Sequence, residues 1–298
     1  MSRFQIVVCA ENSAYLAWQA MLFHYSCARH LAHTPIVVVH KGDEPLLPEF
    51  ERMIARGGVV QTAPNYRTLG GVHYPPGNTA ATLRHVRTDA DAIVLCDPDM
   101  IFLQPIDFGV ALPHDCAITF DQVGYLEPAH PDSRSVLLDV CPKVGVSLEH
   151  LRDGRTNGGV PHVIPRRWQR ELGDEWLRLQ KFFPVLPSAP GEPAAPRRVW
   201  LTAMWTLVLA AHRIGLEPRL THWCLSQYDG TRPRPALTPG GASLIHYCYA
   251  DAGFDKRRFV SETAAKEVWN VPPDDGTVSG AIRGQVREAR EFYFGADS

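Results

Sequence analysis

One stretch constrains this chain more than any other: Ala92-Ile93-Val94-Leu95-Cys96-Asp97-Pro98-Asp99-Met100-Ile101-Phe102. Five largely apolar residues run into two carboxylates one residue apart, and a second apolar run follows at once. A run without polar alternation reads as a strand of a parallel sheet covered on both faces. The carboxylates then fall at its C-terminal end, where open α/β sheets place their ligands. Pro98 withholds a donor from the ladder and ends the strand. Asp-Pro-Asp is common turn chemistry. Asp97 and Asp99 on a short stiff turn also make two hard oxygen ligands for Mg²⁺ or Mn²⁺. The apolar strand before them and the rest of the chain favour the metal over the plain turn.

Around this stretch the chain alternates strand and helix. Residues 4–9 read as a first strand and Ala10-Glu11-Asn12-Ser13 as a strand-end loop and helix cap. Residues 14–30 follow as a helix, with Leu16, Ala20, Phe23 and Cys27 on one stripe. A second strand spans 35–40, a helix 48–56 stops at Gly57-Gly58, and a weaker strand covers 59–62. That order implies right-handed crossovers and parallel pairing. Residues 66–77 are irregular and open a helix over 78–86, with Asn78 as its N-cap. Beyond the acidic turn, 116–120 reads as a strand ending at Asp121, and 127–157 as loop and short helix over the cleft. Gly158-Gly159 turns into a strand, and 168–182 is an amphipathic helix. Five prolines in 184–196 make a surface loop. The most apolar helix covers 199–212, a late strand 243–249 carries His246, and a polar helix covers 277–294. The expected fold is α/β, a mixed and mainly parallel central sheet flanked by helices. One domain is expected over 1–260, with 261–298 as a C-terminal helical extension packed on it.

Composition narrows the function. At 45% hydrophobic and 21% charged the chain is an ordinary soluble type. A formal net charge of −2 speaks against non-specific binding to nucleic acid or an anionic membrane. No Gly-x-Gly-x-x-Gly follows the first strand, and no P-loop occurs. The seven cysteines are odd in number and form no Cys-x-x-Cys pair, which suits reduced thiols in a cytoplasm. Residues 4–9 are too short for a signal core, and no apolar run nears the ~18 residues that span a bilayer.

Several pieces, in order, carry a resemblance. Tyr15-Leu16-Ala17-Trp18-Gln19 follows the first strand, and Tyr74-Pro75-Pro76-Gly77-Asn78-Thr79-Ala80-Ala81 precedes the acidic strand. Leu95–Ile101 with Pro105-Ile106, Gly158-Gly159-Val160-Pro161, the helix from Trp200 to Ala211 and Leu244-Ile245-His246-Tyr247-Cys248-Tyr249 complete the set. Together they resemble the hydroxyproline O-arabinosyltransferases and peptidyl-serine galactosyltransferases of plants, over about residues 4–260. The resemblance implies a GT-A fold and a nucleotide-sugar-dependent glycosyltransferase that keeps the anomeric configuration. The family pattern has a lysine where this chain has Thr79 and a glutamate where it has Ala203. Both places fall near the sugar and acceptor, so the resemblance bears on reaction type more than on either substrate. The plant enzymes carry a membrane anchor; this chain reads as a free-standing bacterial-type relative.

The resemblance also assigns roles. Asp99 is the expected direct ligand of a Mn²⁺ or Mg²⁺ that bridges the donor diphosphate. Asp97 binds the metal through water or contacts the ribose, Pro98 shapes the turn between them, and His246 is the third ligand. In a strand a lone histidine is otherwise a hydrogen-bonded core residue. Ala10, Glu11 and Asn12 flank the base and ribose, or Asn12 is a cap and the rest plain loop. Tyr66 stacks on a uracil or packs in its loop. Asn78 meets ribose or diphosphate at a helix N-terminus, or simply caps it. Lys256 and Arg257, with Arg258, close over the diphosphate or form a solvated charge run. Gly158 and Gly159 admit the sugar or make a turn. Asp121 orients a sugar hydroxyl or the acceptor, or only ends a strand. The expected partners are a nucleotide sugar, UDP-linked, and a hydroxyl acceptor on a peptide, natural product or glycan. A nucleotide-sugar-binding protein without turnover and a nucleotidyltransferase are the alternatives.

Overall fold

The computed structural model describes residues 3–69, 71–106, 108, 118–119, 128–151, 158–181, 196–216, 219–220, 224–226, 230–238, 243–248 and 251–295. In order the elements are β1 (Phe4–Glu11), α1 (Ala14–Leu31), β2 (Ile36–Lys41), α2 (Pro48–Ala55), β3 (Val59–Pro64), β4 (Thr68–Leu69), β5 (Val72–His73), α3 (Gly77–His85), β6 (Ala92–Cys96) and β7 (Met100–Phe102). There follow β8 (Ile118–Thr119), α4 (Pro131–Val144), β9 (His162–Pro165), α5 (Arg166–Gln180), α6 (Pro196–Arg213), β10 (Arg219–Leu220), β11 (Cys224–Ser226), β12 (Leu244–His246), α7 (Glu262–Glu267) and α8 (Val278–Phe294). The architecture is α/β, with a mixed, mostly parallel central sheet flanked by helices. Asp121 and nearly all of the proline-rich stretch lie outside the described residues. The described part of 127–157 holds more helix than expected, since α4 runs for 14 residues.

The chain forms two compact units. One comprises residues 1–5, 63–95 and 108–222, the other 6–62, 96–107 and 223–298. In the first, β9 runs antiparallel to β6 and to β8, and β10 lies parallel to β8. The all-apolar β6 is buried at every position, as a strand covered on both faces must be. Its pairing with β9 is antiparallel, Leu95 opposite His162, where parallel pairing was expected. The chain reaches β9 by a long excursion rather than a single helical crossover, so the crossover rule does not govern that pair. Helix α5 packs on α3 and on α6. Gly173 makes the first contact possible, because a Cβ there would stand 3.0 Å from the Arg84 backbone nitrogen. The Trp176 indole donates to the Ala203 carbonyl (2.9 Å) and to the Thr206 hydroxyl (3.1 Å), tying α5 to α6.

The second unit carries the strand order β1-β2-β3, with β1 parallel to β2, and a three-stranded sheet ordered β11-β12-β7. Helix α1 connects β1 to β2, capped by the Ser13 hydroxyl, which accepts from the Leu16 amide. It packs on α2, α8 and β7. Strand β7 lies at the edge of its sheet, and its outer backbone groups are met by side chains. The Phe102 amide donates to the Ser26 hydroxyl of α1 (2.5 Å), and the Phe102 carbonyl accepts from Gln285 of α8 (2.7 Å). No helix among the described residues is long and apolar enough to cross a membrane.

Candidate metal and donor site

The site grows from the end of β6. The strand stops at Cys96, and Asp97-Pro98-Asp99 turns the chain into β7. Strand β7 then runs antiparallel to β12, with Ile101 opposite Ile245 and Met100 opposite His246. This register brings residues 148 positions apart together, for the Tyr247 amide donates to the Asp99 carbonyl at 2.9 Å. The Tyr247 hydroxyl adds a second tie, to the Pro98 carbonyl at 3.3 Å. The turn is therefore held by Tyr247, through its backbone amide at Asp99 and its side-chain hydroxyl at Pro98.

Asp97, Asp99 and His246 each offer a ligand atom, all within 4.8 Å of one another. The His246 Nε2 lies 3.4 Å from an Asp99 oxygen and 3.7 Å from an Asp97 oxygen. Asp99 and His246 are buried, whereas the Asp97 side chain is 29% exposed and opens the cluster to solvent. Two carboxylates and an imidazole suit Mn²⁺ or Mg²⁺, and the open side leaves positions for further oxygen ligands. The donor set thus fits the ion expected from the sequence.

Lys256 completes the arrangement. It sits in a 3₁₀ turn, Lys256–Phe259, whose N-cap Asp255 accepts from the Arg257 amide. Its ammonium is ion-paired with Asp99 and its side chain is only 14% exposed. Burial pushes the Asp99 carboxyl towards its neutral form, but Lys256 and then His246 outweigh it and hold the pKa far below the usual carboxylate range. Burial likewise opposes the charge on Lys256, and Asp99 more than restores it. Both groups are charged at neutral pH.

Two aromatic residues at this centre carry no role in the sequence reading. Tyr15 lies close enough to Lys256 and Asp99 to feel both charges, and burial raises its phenol pKa first. Tyr247 stacks on Trp18, with ring centroids 6.3 Å apart and planes at 24°. Phe254 and Phe259 meet Trp18 edge-on. The signal was Tyr15 and Trp18 at i, i+3 on the first turn of α1, one face of the helix directly after β1.

The remaining candidates have partners of their own. Arg257 turns back on Asp255, donating from Nε (3.0 Å) and Nη2 (2.9 Å). Ala10 and Glu11 are not loop: they continue β1, opposite Val39 and His40 of β2, and Ala10 is fully buried. The parallel ladder runs two residues further along β1 than expected, to Glu11 opposite His40. Asn12 fastens the segment before α2, accepting from the Leu47 amide (3.0 Å) and donating to the Pro45 carbonyl (2.8 Å).

Tyr66, Asn78, Gly158 and Gly159 belong to the other unit. Asn78 is not the N-cap of α3, which is Pro76. Its side-chain oxygen instead accepts from the Tyr66 amide at 2.6 Å. The Tyr66 hydroxyl meets His85 Nε2 at 2.8 Å. Gly158 does admit a close approach, that of α6: a Cβ there would stand 2.6 Å from the Met204 carbonyl oxygen.

No protein-family model matches this chain, and no curated protein does. Solved structures do. WbbM, a bifunctional glycosyltransferase, superposes with a TM-score of 0.50 at 12% identity, covering 100% of this chain and 52% of the other. The chain thus spans about half the length of that protein. An active-site mutant of LgtC gives a TM-score of 0.48 at 11% identity, covering 88% of this chain and 93% of the other. The galactosyltransferase LgtC with donor and acceptor sugar analogues gives 0.45 at 13%, covering 94% and 95%. The fold is that of the GT-A glycosyltransferases.

Proposed function

We propose that this protein is a metal-dependent glycosyltransferase that moves a sugar from a UDP-linked donor to a hydroxyl of a peptide, natural product or glycan. The observation that carries the reading is the Asp97, Asp99 and His246 cluster at the end of β6 on a GT-A fold. Asp99 and His246 would hold the ion directly, with Asp97 completing the set from the solvent side. Bound there, Mn²⁺ or Mg²⁺ supplies Lewis-acid stabilisation of the departing diphosphate. The chain's own part is to hold the ligands on a turn fixed by Tyr247 and to bring a lysine to the same place.

Retention of configuration is part of the proposal and comes from the family resemblance. Asp97 and Asp99 would be taken up by the cation, and Asp255 is held by Arg257. We therefore favour front-face displacement, with the diphosphate as base. A glycosyl-enzyme adduct in the mass spectrum of the reacting protein would overturn that course. We also take residues 1–260 as the transferase domain with 261–298 packed on it, a view supported by the contact of α8 with α1. A reducing cytoplasm is part of the same reading, in keeping with cysteines buried in the core at Cys9, Cys27, Cys96 and Cys141.

The test is thermal unfolding with Mn²⁺ and a panel of nucleotide sugars, on the wild type and Asp99→Ala, followed by assay of donor turnover. A ligand at 100 times its dissociation constant adds about 2.7 kcal/mol of stability. The expected result is a shift from one UDP-sugar that needs Mn²⁺ and vanishes in Asp99→Ala, with release of UDP. Stabilisation without turnover would leave a binding protein. No shift with any nucleotide would return Asp97-Pro98-Asp99 to a plain turn.

A further inference from the structure

We propose that the acidic centre is a cation site shared between the Lys256 ammonium and a divalent ion, so that metal entry expels Lys256 from Asp99 and loosens the 256–259 turn. The inference rests on the metal-dependent reading above and adds an order of events to it.

The geometry sets up a competition. Asp99 has two carboxylate oxygens: Oδ1 faces His246 Nε2 at 3.4 Å, and Oδ2 is taken by Lys256. Asp99 is buried and the Lys256 side chain is only 14% exposed, so this is not a screened surface contact. An ion ligated by Asp99 and His246 would sit about 2 Å from each ligand atom. That places it a few ångströms from an ammonium still paired to Oδ2, where two cations repel strongly in a poorly solvated site. Asp97 and Asp99 balance one divalent ion. They do not balance that ion and an ammonium as well.

The segment bearing Lys256 is built with a fixed root. The Asp251 carboxylate accepts from the Gly230 amide (2.9 Å), the Gly253 amide (2.7 Å) and the Ser279 hydroxyl (3.0 Å). Arg283 of α8 donates to the Gly253 carbonyl at 2.6 Å. Residues 251–253 are thus fastened to the start of α8, and the lysine lies three residues beyond that anchor. Release at Asp99 therefore loosens the turn at its Lys256 end, while the root stays fastened and Phe259 keeps its edge-on contact with Trp18. The freed ammonium is then available to an anionic ligand of the loaded centre, which makes the metal the first ligand to bind and the diphosphate the second.

The experiment measures Mn²⁺ binding to the full chain without nucleotide, by loss of the free-ion electron paramagnetic resonance signal, for wild type and Lys256→Met. Removing the competitor should tighten Mn²⁺ binding about tenfold or more, within the usual span of couplings between ligands. Equal or weaker binding by Lys256→Met overturns the shared site, and Mn²⁺ binding by the wild type then leaves the proposed function standing. Absence of Mn²⁺ binding in both proteins overturns the shared site, and the nucleotide-sugar measurement above then decides the proposed function. Lys256→Met leaves Asp99 without its counter-charge, so a second measurement uses the wild type alone. Amide hydrogen exchange over residues 256–260 should quicken on adding Mn²⁺. Unchanged or slower exchange there overturns the proposal whatever the variant does.

Discussion

A buried ion pair such as Asp99–Lys256 is poor evidence of stabilisation, because desolvation offsets much of the attraction. Its use is to keep a carboxylate ionised inside the protein. A second buried group shows the opposite solution. His24 in α1 is 2% exposed, and its Nδ1 lies 2.5 Å from the Tyr293 hydroxyl of α8. Burial lowers its pKa to about 4. Between that value and the ordinary 6.5 the unfolded chain binds a proton that the folded chain refuses, so stability rises with pH across this window. The contribution is whole above pH ~6.5 and lost as pH falls through 4, and at 1.36 kcal/mol per pKa unit it amounts to about 3 kcal/mol. Urea unfolding of wild type and His24→Phe at pH 7, 5.5 and 4 should show that slope in the wild type and a clearly flatter one in the variant. Parallel slopes would assign the acid sensitivity to other groups, among them His30 and His33, whose pKa values burial also lowers.

At the scale of elements, β7 is the vulnerable piece. It has three residues, carries Asp99 at its entrance and depends on Ser26 and Gln285 for its outward backbone groups. Ser26→Ala strands the buried Phe102 amide, a loss of about 1–3 kcal/mol. Gln285→Leu does the same to the carbonyl. Each variant should lower the unfolding free energy by that amount and also weaken Mn²⁺ binding; destabilisation with unchanged metal affinity would show that the turn keeps its shape without the edge strand. The same strand marks where local reading stops. β6 and its two carboxylates were legible because an apolar run ending at proline is a local pattern. His246 was legible as a candidate through the family resemblance, since a lone histidine in an apolar run otherwise reads as a core residue. Their meeting depends on an antiparallel pairing across more than a hundred residues, which no local period encodes. Ala10 and Glu11 were misplaced because a ladder's length is set by its partner. The cap assigned to Asn78 went to Pro76, and the asparagine holds Tyr66 instead.

For the molecule as a whole, residues 261–298 fall within the second compact unit, and α8 shows why. Helix α8 buries Val278, Ala281, Ile282, Val286, Ala289 and Tyr293. It packs on α1, closes the Phe102 carbonyl, anchors Gly253 through Arg283 and provides the hydroxyl beside His24. Burying a valine or isoleucine side chain contributes about 1.5–3 kcal/mol, so Val278, Ile282 and Val286 alone contribute on the order of 6 kcal/mol. Whole domains are stable by only about 5–15 kcal/mol. A chain ending at residue 260 should therefore lose cooperative unfolding and near-ultraviolet dichroism, and bind no Mn²⁺ even though Asp97, Asp99 and His246 remain. The loss would follow from the removed helix and not from a missing ligand. Supplying residues 261–298 as a separate peptide should restore part of the dichroism. A truncated protein that unfolds cooperatively and still binds Mn²⁺ would make the C-terminal segment a true appendage and place the whole metal centre within residues 1–260.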